Sequence, residues 1–480
     1  MMKSKAINAT LWSAAETALR QGMQLVSSII LARLLSPKEF GTFAALSIFL
    51  AMASSIVDSG FSAALIRTQD ATQADKSTVF WINLLVALLL AIALGSSATS
   101  ISQFYGHPIL VPITWAMALN LVLSALGATH GSILIMQLDF RSQMFASAGA
   151  TALATILAIV MAWQGFGVWA LVAQAIFATA GTTLSLWIMA RWRPSFSFSK
   201  ASALHLFAFG KYVFLAGMLE VVYGKLHTLI IGRFFGVREL GLYSRAEGTK
   251  SLPVGIIAGV FIKVLYPVFS AMQHDKAAFR LTVRRSIRVL LLMAAPMALG
   301  LAAVSKPFVI ALFGRQWAEA VPVLQILCLS AVLLPQQVIL TNAFLAQGDS
   351  KLVFKMDTKR KAIGLVMIGL GAFYGVLGIA VAQVMASMVG SAFNSVYART
   401  HLGYSLREQG SDYASSVGIA AVMGICVYAL VSTVQWDEWV ALLVASAMGV
   451  VLYFVICRLL RVQALMDALD ILVSRKRLAQ

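Results

Sequence analysis

The sequence predicts an all-α integral membrane protein of about fourteen transmembrane helices, built as two six-helix lobes related by an internal repeat plus two additional C-terminal helices. Three observations carry this. Of 480 residues, 60% are hydrophobic and only 12% charged, with a mean hydropathy of +0.85, which excludes an ordinary soluble chain. Apolar stretches of about 20 residues, long enough to cross the hydrocarbon, recur along the whole length. Two segments 200 positions apart nearly repeat each other: Ile29 to Phe43 reads IILARLLSPKEFGTF, and Leu229 to Tyr243 reads LIIGRFFGVRELGLY.

In the N-terminal lobe, 1–194, apolar runs fall at 9–34, 42–66, 78–101, 109–137, 143–164 and 167–190. The first lacks a signal peptide's unbroken apolar core, because Glu16 and Arg20 interrupt it, so it is expected to stay as a helix. The basic, aromatic segment Arg191-Trp192-Arg193-Pro194-Ser195-Phe196 marks the boundary, with a cytoplasmic linker over 195–204. The C-terminal lobe, 205–410, holds runs at 205–234, 240–271, 286–304, 319–345, 361–374 with a helical lead-in from 351, and 376–397. Pro253 predicts a kink in the second of these. Residues 411–480 add spans at 413–432 and 438–460 and a basic cytoplasmic tail, without counterpart in the first half.

Within the repeat, Ile30/Ile230, Arg33/Arg233, Glu39/Glu239 and Gly41/Gly241 are identical, and eight further positions keep their class. Gln137 to Arg141 answers Gln347 to Lys351 at an offset of 210, and Val172-Ala173-Gln174 answers Val381-Ala382-Gln383 at 209. An even number of helices per copy gives both the same orientation, hence an axis along the membrane normal, a symmetry found in transporters with a central site.

The net charge of +18 reads as topology rather than as nucleic-acid binding. With a cytoplasmic N-terminus, 25 of the 37 Lys and Arg fall in the termini and even-numbered loops, notably Lys276 to Arg288, Lys351 to Lys361 and Arg475 to Arg477. Only Arg33, Lys38, Arg233, Arg238, Lys306 and Arg315 fall on the outer side and the other six lie within spans, so both termini are placed in the cytoplasm. Cys328, Cys426 and Cys457 sit within predicted helices and read as packing residues. No metal-ligand spacing, Walker loop or dinucleotide motif occurs in a credible context, so neither a cofactor nor ATP is called for.

An ionised side chain at mid-bilayer costs about 2.5–3.5 kcal/mol even on the lenient insertion scale, and normally faces a cavity or a partner. In the first helix Glu16, Arg20, Gln24 and Ser27 share one face at spacings of four, four and three. In its repeat partner, the seventh, Lys211, Lys225 and Arg233 share a face opposite Glu220 and His227. Arg245, Glu247, Lys250 and Lys263 follow in the eighth. Arg20, Gln24, Lys225, Arg245 and Lys250 are the candidate substrate contacts; Glu16, Asp58, Glu220 and His227 are candidate coupling or charge-pair residues. Arg33/Arg233 and Glu39/Glu239 fit either helix-end stabilisation or an outer gate. His130 and His227 each read as hydrogen-bonded core residues before proton carriers. The excess of intramembrane base over acid implies an anionic guest, and a diphosphate suits Arg and Lys.

With LARLLSPKEFGTFA, VDSGFSAALIR, GLYSRAEGTKSLPVG, LFGRQWAEAVPVLQIL and a late AVAQ in order, the chain resembles, over nearly its full length, the bacterial polysaccharide flippases of the multidrug/oligosaccharidyl-lipid/polysaccharide exporter superfamily. The resemblance implies two lobes around a cationic cavity in the bacterial inner membrane, and an undecaprenyl-diphosphate-linked oligosaccharide repeat unit as substrate. It also implies rocking of the lobes, a groove for the prenyl tail at the two extra helices, and coupling to a proton or sodium gradient. Membrane lipids, a polysaccharide polymerase and chain-length machinery are the implied partners, with exopolysaccharide, capsule or O-antigen assembly as the setting. A multidrug exporter of the same superfamily and a membrane polysaccharide polymerase or ligase are the alternatives. The first is disfavoured by the basic charge balance, and the second by the lack of large external loops.

Overall fold

The computed structural model describes residues 2–467 apart from 59, 69, 435 and 461; within helices, the side chains of 2–11, 13–18, 208–209, 211–213, 216, 252–264, 266–267 and 350 lie outside the description. The described chain is helical without strands and divides into two compact units, Met1–Gly241 and Leu242–Gln480.

The first unit holds α1 (Met2–Leu34), α2 (Pro37–Ala45), α3 (Ser47–Asp58), α4 (Phe61–Arg67), α5 (Gln73–Ser96), α6 (Ala98–Tyr105), α7 (Leu110–Met136), α8 (Phe140–Trp163), α9 (Val168–Met189) and α10 (Lys200–Phe234). The helix α11 (Val237–Met272) begins in this unit and runs on into the second. There follow α12 (Lys276–Ala303), α13 (Ser305–Phe313), a 3-10 turn at Arg315–Trp317, α14 (Ala320–Ala331), α15 (Leu334–Ala346), α16 (Ser350–Ala372), α17 (Gly375–Leu402), α18 (Leu406–Thr433) and α19 (Glu438–Leu459).

Among the described residues, ten helical segments are long and apolar enough to cross a membrane, counting α2 to α4 and α14 to α15 as one segment each. Four more long helices, α1, α10, α11 and α16, carry the charges singled out above. Two predicted spans are broken rather than continuous: 42–66 is divided into α2, α3 and α4, and 319–345 into α14 and α15. Residues 305–317 fold as α13 and the 3-10 turn. Pro253 lies within the helical stretch of α11, but its side chain is outside the described residues.

Several helix starts are closed by side chains, which satisfies backbone groups that would otherwise lack partners. Reciprocal Ser36/Glu39, Thr72/Asp75 and Ser405/Glu408 capping boxes open α2, α5 and α18. The segment between α9 and α10 lies strapped to α5. Trp81 Nε1 donates to Ser195 O at 2.9 Å, Ser195 N to Ser77 Oγ at 3.0 Å, and Ser199 N to Thr78 Oγ1 at 3.0 Å. Trp192 Nε1 donates to Gln73 Oε1 at 2.6 Å, and Trp187 stacks on the buried His130 at 4.6 Å. Ser199 caps α10, so that helix starts at Lys200, five residues earlier than the apolar run suggests.

Small residues let the helices meet. Ala146, Ala150, Ala154, Ala158 and Ala162, each four apart, form the buried stripe of α8, which packs on α9, where a Cβ on Gly181 would crowd Ala150. In the second unit, α12 and the α14–α15 segment are 61% buried over their apolar windows, against 28% for α18 and α19, so the former make the core and the latter face outward. Replacing Ala158, fully buried, by Leu is expected to cost about 1–3 kcal/mol by overpacking. Leu153→Ala, at a position 71% exposed, should leave the thermal midpoint of the detergent-solubilised protein nearly unchanged, whereas Ala158→Leu lowers it.

Candidate functional site

The repeat-related helices α1 and α10 both lie in the first unit. On α1, Arg20 and Gln24 are exposed, but Ser27 is buried and accepts a 2.6 Å hydrogen bond from Gln174 Nε2, which also donates to Thr155 Oγ1 at 3.1 Å. The polar stripe therefore divides: Ser27 joins α1 to α8 and α9, and Arg20 and Gln24 are left accessible. The side chain of Glu16 lies outside the described residues.

On α10, glycines define the packed face. A Cβ on Gly60 would strike the backbone of Gly210, and one on Gly217 would sit 3.6 Å from Ser55 Oγ, which seats α10 against α3 and the α3–α4 break. At 100° per residue Lys225 stands about 80° to one side of Gly217, with Glu220 and His227 about 60–80° to the other. Lys225 is half-buried, Glu220 exposed and His227 buried. Asp58, exposed, ends α3 beside Gly60, whose φ of 72° turns the chain into α4. The side chain of Lys211 lies outside the described residues.

Arg33 and Arg233 occupy the last turns of α1 and α10; Glu39 and Glu239 occupy the first turns of α2 and α11. Arg233 Nη1 donates to Phe104 O at 2.8 Å, with its guanidinium 5.2 Å above the Phe104 ring, and so closes the end of α6. Glu39 accepts from Ser36 N at 2.6 Å and Ser36 Oγ at 2.8 Å, and Glu239 Oε1 lies 3.4 Å from Arg238 Nη1. Both carboxylates thus take up bonds at their own helix starts.

In the second unit the Arg245 guanidinium is held over two fully buried rings, Phe313 at 4.9 Å and Trp317 at 5.1 Å. Lys250 Nζ lies 3.5 Å from Ser330 Oγ on α14. Tyr243, fully buried, donates to Gln383 Oε1 at 2.6 Å. The repeated Ala-Gln signature thus has a physical meaning in both copies: Gln174 and Gln383 each supply an interhelical hydrogen bond. Among the described residues no group of three His, Cys, Asp or Glu could hold a metal ion.

Two charged networks escaped the sequence reading, which counted their basic members as orientation charges. Arg280, Arg284 and Arg288, four apart on α12, meet carboxylates of α18 and the chain after α19. Arg280 Nη2 donates to both oxygens of Glu408 at 2.6 and 2.7 Å. Arg284 Nε and Nη2 donate to Asp412 at 2.6 and 3.1 Å, and Tyr404 OH donates to the same carboxylate at 2.7 Å. Arg288, 5% exposed, reaches Asp467 at 2.7 Å. The ladder fastens the helices that have no repeat counterpart, and the matching four-residue spacing of Glu408 and Asp412 was its signal. On α16, Asp357 pairs with Arg360 at 2.6 Å and with the buried Lys361 at 2.9 Å; Arg360 also donates to Gln337 Oε1 at 3.1 Å, and Gly390 leaves room for its stem.

Residues 30–322 match the family model described as polysaccharide biosynthesis protein. The succinoglycan biosynthesis transport protein ExoT of Rhizobium meliloti is 34% identical over 325 residues, 66% of this chain and 65% of that protein, so just under two thirds of that relative's length is spanned. The teichuronic acid biosynthesis protein TuaB of Bacillus subtilis is 26% identical over 87% of each chain. The lipopolysaccharide biosynthesis protein WzxC of Escherichia coli is 24% identical over 85% of this chain and 84% of its own. Among solved structures, a lipid II flippase MurJ in an inward closed conformation superposes with a TM-score of 0.77 at 16% identity, covering 93% of this chain and 97% of that one. An inward-facing multidrug resistance MATE family transporter gives 0.61 at 16% identity, over 79% and 94%.

Removing one partner of a buried ion pair costs about 3–5 kcal/mol, whereas exposed pairs contribute about 0–1 kcal/mol. Asp412→Asn, which strips the charge facing Arg284, should therefore lower the thermal midpoint sharply and expose the α17–α18 junction to protease. Arg280→Ala, 41% exposed, should change neither by more than a small amount.

Proposed function

Because the chain belongs to the polysaccharide biosynthesis protein family, we propose that it flips undecaprenyl-diphosphate-linked oligosaccharide repeat units from the cytoplasmic to the outer leaflet of a bacterial inner membrane. The observation that carries this reading is the accessible base on the repeat-related helices: Arg20 exposed on α1 and Lys225 half-buried on α10, both within long helices of an apolar chain. A diphosphate brings two negative charges that such cations neutralise without a resident carboxylate for each. Gln24, beside Arg20, adds a neutral donor suited to phosphate or sugar oxygens.

The protein acts as a transporter by alternating access and forms no covalent intermediate. The anionic head group enters the cationic site from the cytoplasmic leaflet and leaves at the outer one, while the prenyl tail stays in lipid. Both termini are cytoplasmic, as the distribution of Lys and Arg supports. Glu16, Asp58, Glu220 and His227 are the titratable groups proposed to couple the cycle to protons or sodium. Polymerase and chain-length machinery receive the product. The MATE-like fold alone would equally suit a drug exporter, but a guest of positive charge finds the wrong sign at Arg20 and Lys225.

Arg20→Ala and Lys225→Ala should each reduce surface polymer at least tenfold while leaving expression unchanged, with complete repeat units accumulating on the cytoplasmic leaflet by mass spectrometry and glycan accessibility. Normal polymer in both variants would remove the site; a complete unit already exposed outside would place the protein downstream of flipping.

A further inference from the structure

Within the first unit, α5 and α7 enclose polar side chains that nothing in the protein satisfies. Phe80 of α5 meets His130 of α7 edge-on at 6.2 Å, and Ala87 packs in one core cluster with Leu121 and Ala125 of α7. Asn83, between Phe80 and Ala87 on the same buried face, therefore lies on the α7 side of α5. On α7, Leu121, Ala125 and Thr129 are buried and four apart, which carries the α5-facing stripe on to Thr129. Asn83 and Thr129 are both fully buried, yet among the described residues neither end of the Asn83 amide nor the Thr129 hydroxyl has a hydrogen-bond partner. Interiors seldom leave polar atoms so, because each has given up its bonds to water. Two core clusters set the level of these groups. Val57, in the last turn of α3, packs with Ala87, Leu121 and Ala125, whereas Phe61, the first residue of α4, packs with Val79 and has Ile82 and Met136 against it. Asn83 falls between Val79 and Ala87, and Thr129 between Ala125 and Met136, so both stand at the height where α3 ends. There the chain offers Asp58, which is exposed and forms no ion pair among the described residues, together with the negative end of the α3 dipole.

We propose that Asp58, Asn83 and Thr129 form a sodium site at the α3–α4 break. A hard cation takes oxygen ligands, and here a carboxylate, an amide oxygen and a hydroxyl bring one negative charge to balance one positive. The C-terminal end of a broken membrane helix is a favourable place for such an ion. Burial divides the roles: Asp58, accessible, captures the ion, and Asn83 and Thr129 replace its water further in. A proton would be held by Asp58 alone and would leave the buried amide and hydroxyl unsatisfied. That the ion drives the cycle rests on the flippase reading; that the site binds it does not.

Binding of radioactive sodium to the full-length protein in lipid nanodiscs, with potassium chloride holding the ionic strength constant, tests the site. Asp58→Asn, Asn83→Leu and Thr129→Val should each weaken sodium binding at least tenfold. Exchanging potassium for sodium should raise the thermal midpoint of the unaltered protein and of none of the three variants. Thr129→Val replaces an unpartnered hydroxyl by a methyl group, so its midpoint in potassium should equal or exceed that of the unaltered protein. A lower midpoint there would show the hydroxyl to be bonded within the protein and would overturn the site. The same midpoint in sodium and in potassium for the unaltered protein would overturn it too, leaving only internal water between α5 and α7. So would sodium binding that survives in Asp58→Asn, which alters an exposed position and therefore decides the matter if a buried variant fails to fold. Sodium binding that depends on these residues in a protein that moves no lipid-linked glycan would uphold the site and remove its coupling role.

Discussion

In hydrocarbon, burying one leucine against another gains little over leaving it in lipid, so helix association depends on close backbone approach at small residues and on a few interhelical polar bonds. The organisation of this protein follows from that constraint. The alanine stripe of α8, the Gly210 and Gly217 face of α10 against α3, and the glycines where α2 meets α11 each set a helix pair close enough for dispersion contact. Gln174 and Gln383 add the polar bonds at equivalent places in the two copies. Each of these is a position where a larger or apolar residue would separate helices.

The same constraint sorts the charges. A cation inside an apolar helix must be matched, and the described residues match most of theirs: Arg284 and Arg288 with Asp412 and Asp467, Arg360 and Lys361 with Asp357, Arg245 with two aromatic faces. Against that background Arg20 stands out as an exposed arginine on α1 beside an exposed glutamine. On the flippase reading, its accessibility suits it to meet a guest that comes and goes. An anionic, lipid-linked head group meets that description, and the family to which the chain belongs makes a glycan-bearing one the natural candidate.

Composition, hydropathy and the repeat were enough to give the fold class, because membrane helices are long, local and written in one-dimensional hydrophobicity. Helix breaks were less legible. The turn at Gly60 lies where α10 packs against the chain, and the break at 332–333 is followed by Pro335 in the first turn of α15, a local signal within the apolar run 319–345. Polar groups that interrupt apolar helices mark the candidate residues, but helical periodicity does not fix which face meets a neighbour. Ser27 shares a helical face with Arg20 and is nevertheless buried, bonded to Gln174 of α9. The arginine ladder was missed for the opposite reason: Lys276 to Arg288 looked like loop charge, and its acidic partners lie more than 120 positions away in sequence.

The central claim is that accessible intramembrane base recognises an anionic head group, and lipid binding to the purified protein measured by native mass spectrometry tests it most directly. A polyprenyl diphosphate should bind at least tenfold more tightly than a polyprenol of the same chain length, and Arg20→Ala combined with Lys225→Ala should erase that difference while leaving the weak binding of the neutral lipid unchanged. Equal affinity for the charged and neutral lipids in the unaltered protein would contradict the account.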